Sequence, residues 1–147
     1  MILFDTNVLV YAVDLDAPQH PASRALVEAV AEGRIKGALV LQILLEFYAV
    51  VTDRRRVRQP LQPEEAWEQV VSLSDIFQVL DAGPRVFEHL KTLVAASRVK
   101  GGDIFDAYLV AQMKALEISL LCTYNTRDFT GYDGVIARTP EEILGRN

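Results

Sequence analysis

The chain opens with Met1-Ile2-Leu3-Phe4-Asp5-Thr6-Asn7-Val8-Leu9. Three apolar residues stopped at once by Asp-Thr-Asn read as a short buried strand with polar groups at its C-terminal end. In open parallel α/β sheets, ligands bind beyond the C-terminal ends of the strands. Asp5 therefore stands where such a protein does its chemistry, provided that this strand is central and its neighbours run parallel to it.

Outward from this stretch, short apolar runs alternate with helical patterns. Asn7 to Ala12 begins a helix, and Asp14 to Pro21, rich in Pro and Asp, is a loop. Ala22 to Glu32 has helical spacing, with Ala25, Leu26, Ala29 and Val30 on one face. Gly33 and Gly37 bracket a turn before a strand at Ala38–Val40, and Leu41 to Thr52 is a strongly apolar helix. Gln62-Pro63-Glu64-Glu65 starts a helix reaching about Ser74, because Pro and acids suit a first turn. Ile76 to Leu80 is strand-like, and Gly83-Pro84 opens a helix to about Val99. Beyond Gly101-Gly102, a helix runs over Asp103–Glu117 and a strand over Ile118–Cys122. Asn125–Tyr132 is a polar loop, Val135–Ala137 a last strand, and Thr139-Pro140-Glu141-Glu142 a capping box. This alternation predicts an α/β sandwich around a mostly parallel sheet. The 147 residues suit a single domain over 1–147, with no repeat or linker.

Composition narrows the classes. Half of the residues are hydrophobic and 24% are charged, enough for a packed core and a solvated surface. One cysteine allows no intrachain disulfide, and with two histidines it cannot build a Cys/His zinc site. Cys122, in the apolar run Ile118–Cys122, reads as a small buried hydrophobe. No run of about 18 apolar residues predicts a membrane helix. The start reaches Asp5 too soon for a signal peptide, so a cytoplasmic location is expected. The formal net charge of −5 counts against nucleic-acid binding, since phosphate contacts favour clustered Lys and Arg. A carboxylate-rich metal site would produce the same acidic balance.

Several carboxylates stand in telling places, and each has an ordinary explanation as well. Asp5 follows the first strand; it could equally make an Asx-type turn capping the next helix. Glu46 interrupts Leu41–Val51, a stretch expected to be mostly buried, where a lone carboxylate costs several kcal/mol unless paired or metal-bound. Gln42 lies one turn earlier, and the ordinary explanation of the two is a narrow solvent-facing stripe. Asp103 and Asp106 share a helix face, but Asp103 is also a good N-cap and Asp106 suits the helix dipole. Asn125 and Asp128 follow the strand Ile118–Cys122 in what is otherwise an ordinary polar loop.

Taken together, Phe4-Asp5-Thr6-Asn7-Val8-Leu9, Glu46, Asp106-Ala107-Tyr108-Leu109-Val110-Ala111 and Thr123-Tyr124-Asn125-Thr126-Arg127-Asp128-Phe129 resemble the PIN-domain family. Within it, the likeness is to the VapC-type toxins of toxin–antitoxin pairs, and it extends from Met1 to Leu144. The resemblance implies a three-layer sandwich with a five-stranded parallel sheet, a homodimer, Mg2+ or Mn2+, and endoribonuclease activity through a metal-activated water. It also implies a cognate antitoxin. By it, Asp5, Glu46, Asp106 and Asp128 are the catalytic, metal-binding acids. Thr6, Asp103 and Asn125 support them, Asn125 standing where many relatives carry Asp. Oxygen ligands of this kind suit Mg2+ or Mn2+ rather than zinc.

A phosphodiester substrate also needs cations. Arg54, Arg55, Arg56 and Arg58 form the one dense basic cluster, and Arg127 lies inside the last motif. They are candidates for RNA or antitoxin contact, or else a solvated loop. Tyr11, Phe47, Trp67 and Tyr108 are expected in the core or at a dimer interface. Three other readings remain. One is a PIN nuclease of RNA processing outside a toxin pair, and another is a non-catalytic binding module. The last is a haloacid-dehalogenase-like phosphatase built on Asp5 and Gly102-Asp103-Ile104-Phe105-Asp106, although its second Asp would fall at Asn7.

Overall fold

A computed structural model describes residues 1–145; Arg146 and Asn147, the end of the domain expected over 1–147, lie outside the described residues. Five strands form one sheet: β1 (Ile2–Phe4), β2 (Gly37–Val40), β3 (Gln78–Leu80), β4 (Leu120–Cys122) and β5 (Ile136–Arg138). All four pairings are parallel and the spatial order is β3-β2-β1-β4-β5. Leu3 pairs with Ala38 on one side and with Leu121 on the other. Neighbouring residues of a strand face opposite sides, yet Leu3 and Phe4 are both fully buried, as is all of β2. Both faces of the sheet are therefore covered, which makes a three-layer α/β sandwich.

The covering helices are α1 (Thr6–Val13), α2 (His20–Ala31), α3 (Leu41–Val51), α4 (Pro63–Ile76), α5 (Val86–Ser97), α6 (Asp103–Ala115) and α7 (Pro140–Leu144). Helix α1 packs on α2 and α3, and α5 on α6. The chain walks from β1 outward through β2 to β3, then crosses back to place β4 on the other side of β1. That reversal leaves a crevice beyond the C-terminal ends of β1 and β4, the place where open α/β sheets bind ligands.

Several boundaries differ from those read in the sequence. Helix α2 begins at His20, because Pro21 sits in the first turn, where its missing N–H costs nothing. Gly37 belongs to β2 rather than to a turn: a Cβ there would come within 2.8 Å of the Phe77 ring and of Val30. Helix α5 ends at Ser97, closed by Arg98 in the left-handed region at φ 50°. Asp103 is not a cap; Gly102 holds that position and Asp103 is the first helical residue. The last strand lies one residue later than expected, at Ile136–Arg138, and the 125–132 loop contains a 3-10 turn at Thr126–Phe129. Helix α3 is only half-buried, since Leu41 and Leu45 are 61% and 54% exposed. The capping box of α7 is present, Thr139 Oγ1 accepting from Glu142 N and Glu142 Oε2 from Thr139 N.

Candidate active site

Asp5 is carried out of the sheet by β1 and becomes the N-cap of α1, with Oδ1 accepting from Thr6 N at 2.8 Å. Capping and a functional placement coincide here. Its other oxygen accepts from Thr123 Oγ1 at 2.8 Å and from Asn7 Nδ2 at 3.3 Å. Thr123 follows β4 directly and is fully buried; its own N–H bonds Arg138 O across the sheet. The crevice between β1 and β4 is thus closed at its base by a hydroxyl and an amide aimed at one carboxylate. Asn7 completes the joint by accepting from Tyr124 N at 3.1 Å.

Glu46 comes from α3 and is held at both oxygens. Thr6 Oγ1 donates to Oε2 at 2.8 Å, and Gln42 Nε2 to Oε1 at 2.9 Å. Asp106 comes from the first turn of α6. Asp5, Glu46 and Asp106 line one open cavity of about 530 Å3, together with Thr6, Asn7, Asn125, Tyr11, Asp14 and Arg56. Three carboxylates from three separate elements therefore face the same space. The solvent-stripe reading of Gln42 and Glu46 gives way to one in which both side chains are tied into a polar network.

Electrostatics follow from that geometry. Asp5 is half-buried as a residue, but its carboxyl sits deep. Loss of hydration pushes its pKa up, Thr123 and Thr6 pull it down, and the charge on Glu46 adds to the rise. Asp106 is pushed up to about 6, first by partial burial and then by the charges of Asp5, Asp128, Asp103 and Glu46. Among the described residues, none of these acids forms an ion pair with a basic side chain.

The remaining expected residues divide. Asn125 lines the cavity, whereas Asp128 sits exposed on the 3-10 turn and reaches Asp106 only through its charge. Asp103 is likewise exposed and acts at a distance. Of the arginines, Arg56 lines the cavity. Arg55 donates from Nε and Nη2 to the two carboxylate oxygens of Asp53, each at 3.1 Å, and Arg58 lines a neighbouring groove. Arg54 and Arg127 are exposed and do not line the cavity. Phe47 is core as expected, but Trp67 and Tyr108 are partly exposed. Tyr11 lines the cavity, edge-on to Tyr124 at 5.3 Å. Thr123 and Asn7 were not singled out from the sequence as supports of Asp5. A hydroxyl directly after a buried strand was the available signal for Thr123.

Among the described residues, no three His, Cys, Asp or Glu side chains form a ready cage for a metal ion. The donor set nevertheless fits a hard divalent cation. Mg2+ retains several waters and is held by one or two carboxylates plus substrate phosphate, so carboxylates spread around an open cavity serve it where a closed cage would not. The unpaired, mutually repelling acids are what such an ion would neutralise.

Known proteins resemble this chain in sequence and in fold. The PIN domain family profile matches residues 2–135. Ribonuclease VapC43 of Mycobacterium tuberculosis is 34% identical over 113 residues, covering 76% of this chain and 77% of that protein. Ribonuclease VapC24 of the same species is 30% identical over 134 residues, 90% and 91% of the two chains. In structure, the chain resembles VapBC from Salmonella typhimurium, solved bound to DNA, with a TM-score of 0.68 at 15% identity over 95% and 97% of the chains. It also resembles VapBC2 from Rickettsia felis bound to a promoter DNA fragment, with a TM-score of 0.67 at 17% identity over 95% and 98%. These structural likenesses concern the fold. With a whole-domain family match and ribonuclease relatives at this identity and coverage, the chain belongs to the PIN domain family, among the VapC ribonucleases.

Proposed function

We propose that this chain is a Mg2+- or Mn2+-dependent endoribonuclease, a single domain over 1–147 and the toxin of a toxin–antitoxin pair. The observation that carries this reading is the meeting of Asp5, Glu46 and Asp106, from three distant segments, in one cavity, none of them ion-paired among the described residues. These three acids would hold the ion, with Asp128 adding charge from the 3-10 turn. A divalent ion held there would supply Lewis acidity, the chemistry by which water is activated and the leaving oxygen of a phosphodiester stabilised. The chain's own part is to hold the acids in place. Thr6 spans two of them, its N–H on Asp5 and its hydroxyl on Glu46. Asn125 offers an amide at the cavity wall, Asp103 reinforces the negative field, and Arg56 supplies the positive charge that a phosphate backbone requires.

The phosphatase alternative loses its general acid. Asn7 stands in that place, and its amide is occupied by Asp5, Thr123 and Tyr124 N. A cognate antitoxin is proposed as partner, in line with the VapBC assemblies that share the fold. A homodimer is proposed as well; exposed Leu41, Leu45, Phe105 and Tyr108 on α3 and α6 adjoin the acid cavity and offer apolar surface for a second copy. No helix among the described residues is long and apolar enough to cross a membrane, in keeping with a proposed cytoplasmic location.

The test is RNA cleavage with and without added Mg2+ or Mn2+, comparing wild type with Asp5→Asn and with small phosphate esters as parallel substrates. Metal-dependent cleavage of RNA, lost in the variant, supports the nuclease. Hydrolysis of esters alone favours the phosphatase, and neither activity favours a binding module. Absence of an antitoxin gene beside this one, with activity retained, favours an RNA-processing nuclease.

A further inference from the structure

Gln112 lies on α6, is 6% exposed, and plays no part in the site described above. Its Nε2 donates to Gln42 Oε1 at 2.8 Å. Gln42 then uses its own amide nitrogen twice: toward Glu46 Oε1 at 2.9 Å and toward the carbonyl oxygen of Phe105 at 3.2 Å. Phe105 immediately precedes Asp106. One side-chain amide on α3 therefore bridges the Glu46 carboxylate and the backbone turn that carries Asp106.

The direction of this chain is fixed by chemistry. Turned the other way, Gln42 would set its oxygen against a carboxylate and a carbonyl, and its NH2 against the NH2 of Gln112. Only one arrangement satisfies all four groups. The donor that Gln112 turns toward Gln42 needs only the Gln42 oxygen; the second donor of Gln42, spent on a different element, is what couples the two acids.

We infer that Gln42 and Gln112 are positioning residues that set the separation between Glu46 and Asp106 and so tune how tightly the site takes up a divalent cation. This rests on the nuclease reading above. Partners one step removed from metal ligands commonly govern affinity by about tenfold or more. Gln42 acts on Glu46 directly and on Asp106 through the Phe105 carbonyl, and Gln112 acts only through Gln42.

The experiment is a titration of free Mn2+ by electron paramagnetic resonance, on wild type, Gln42→Met, Gln112→Met and the double variant, with circular dichroism melts recorded without metal. Met keeps the length of Gln without its amide. Gln42→Met is expected to weaken Mn2+ binding about tenfold. Gln112→Met weakens it less, and the double variant is no worse than Gln42→Met, because the two residues act in series. Should Gln42→Met fail to fold, Gln42→Asn takes its place, an amide one methylene too short to span both acceptors. Folded variants that bind Mn2+ as wild type does, or losses that simply add, overturn the inference. A wild type that binds no Mn2+ removes the nuclease reading and this inference with it, whereas a wild type that binds alongside unaffected variants removes only the inference.

Discussion

Thr123 Oγ1 donates a 2.8 Å hydrogen bond to Asp5 Oδ2 across 118 positions of sequence, joining the ends of two adjacent parallel strands. That bond stabilises the charged form of Asp5, offsetting part of the rise that burial causes. In Thr123→Val the carboxyl therefore titrates at higher pH. The acid limb of the pH–activity profile moves to higher pH, and activity near neutrality falls. A stability loss of about 1–2 kcal/mol is expected for the lost buried bond. A pH–rate profile together with urea denaturation checks both.

Asp106 makes the opposite kind of prediction. Its pKa in the folded chain is about 6, above the ordinary 3.8. The folded state therefore binds more protons than the unfolded state between about pH 4 and pH 6, so this group's contribution to stability is lost as pH rises through that window. In EDTA, raising pH from 4 to 6 should lower the Tm of wild type relative to that of Asp106→Asn. Near neutral pH, Asp106→Asn should be the more stable protein in EDTA and an inactive one with metal. A thermal-shift series over pH, run beside an RNA cleavage assay, reads all of these outcomes.

Among the basic residues, Arg56 should matter most. It lines the acid cavity, while Arg55 is held by Asp53. Arg56→Ala is expected to weaken RNA binding and to lower the slope of log affinity against log salt by about one. Arg55→Ala should change that slope less. Fluorescence anisotropy at several salt concentrations, on metal-free protein, measures it.

Leu45→Asp tests the proposed homodimer. The side chain is exposed and apolar in the single chain and lies beside Phe105 and Tyr108. A charge buried at such an interface goes unpaired. The variant should run as a monomer in light scattering where wild type runs as a dimer, with its circular dichroism spectrum unchanged.

Much of this fold is legible because short parallel strands declare themselves by continuous apolar runs: Ile2–Phe4, Ala38–Val40 and Ile118–Cys122, of which the last forms a strand only over Leu120–Cys122. The acids were legible as interruptions, Asp5 ending a strand and Glu46 breaking an apolar helix. Their convergence was implied by the family resemblance and not by any local pattern, because it depends on the order β2-β1-β4. The reach of Arg56, the burial of Thr123 and the withdrawal of Asp128 to the rim are likewise properties of packing between distant segments. Leu41 and Leu45 misled in the other direction: their apolar character suggested core, but they face outward in the single chain.

Crystals grown with Mn2+ and measured for anomalous scattering put the central claim to its most direct test. The account predicts an anomalous peak inside the cavity, within coordinating distance of Asp5 and at least one of Glu46 and Asp106, and no such peak in Asp5→Asn. A cavity without density at saturating Mn2+, or ions bound only at surface carboxylates elsewhere, would contradict it.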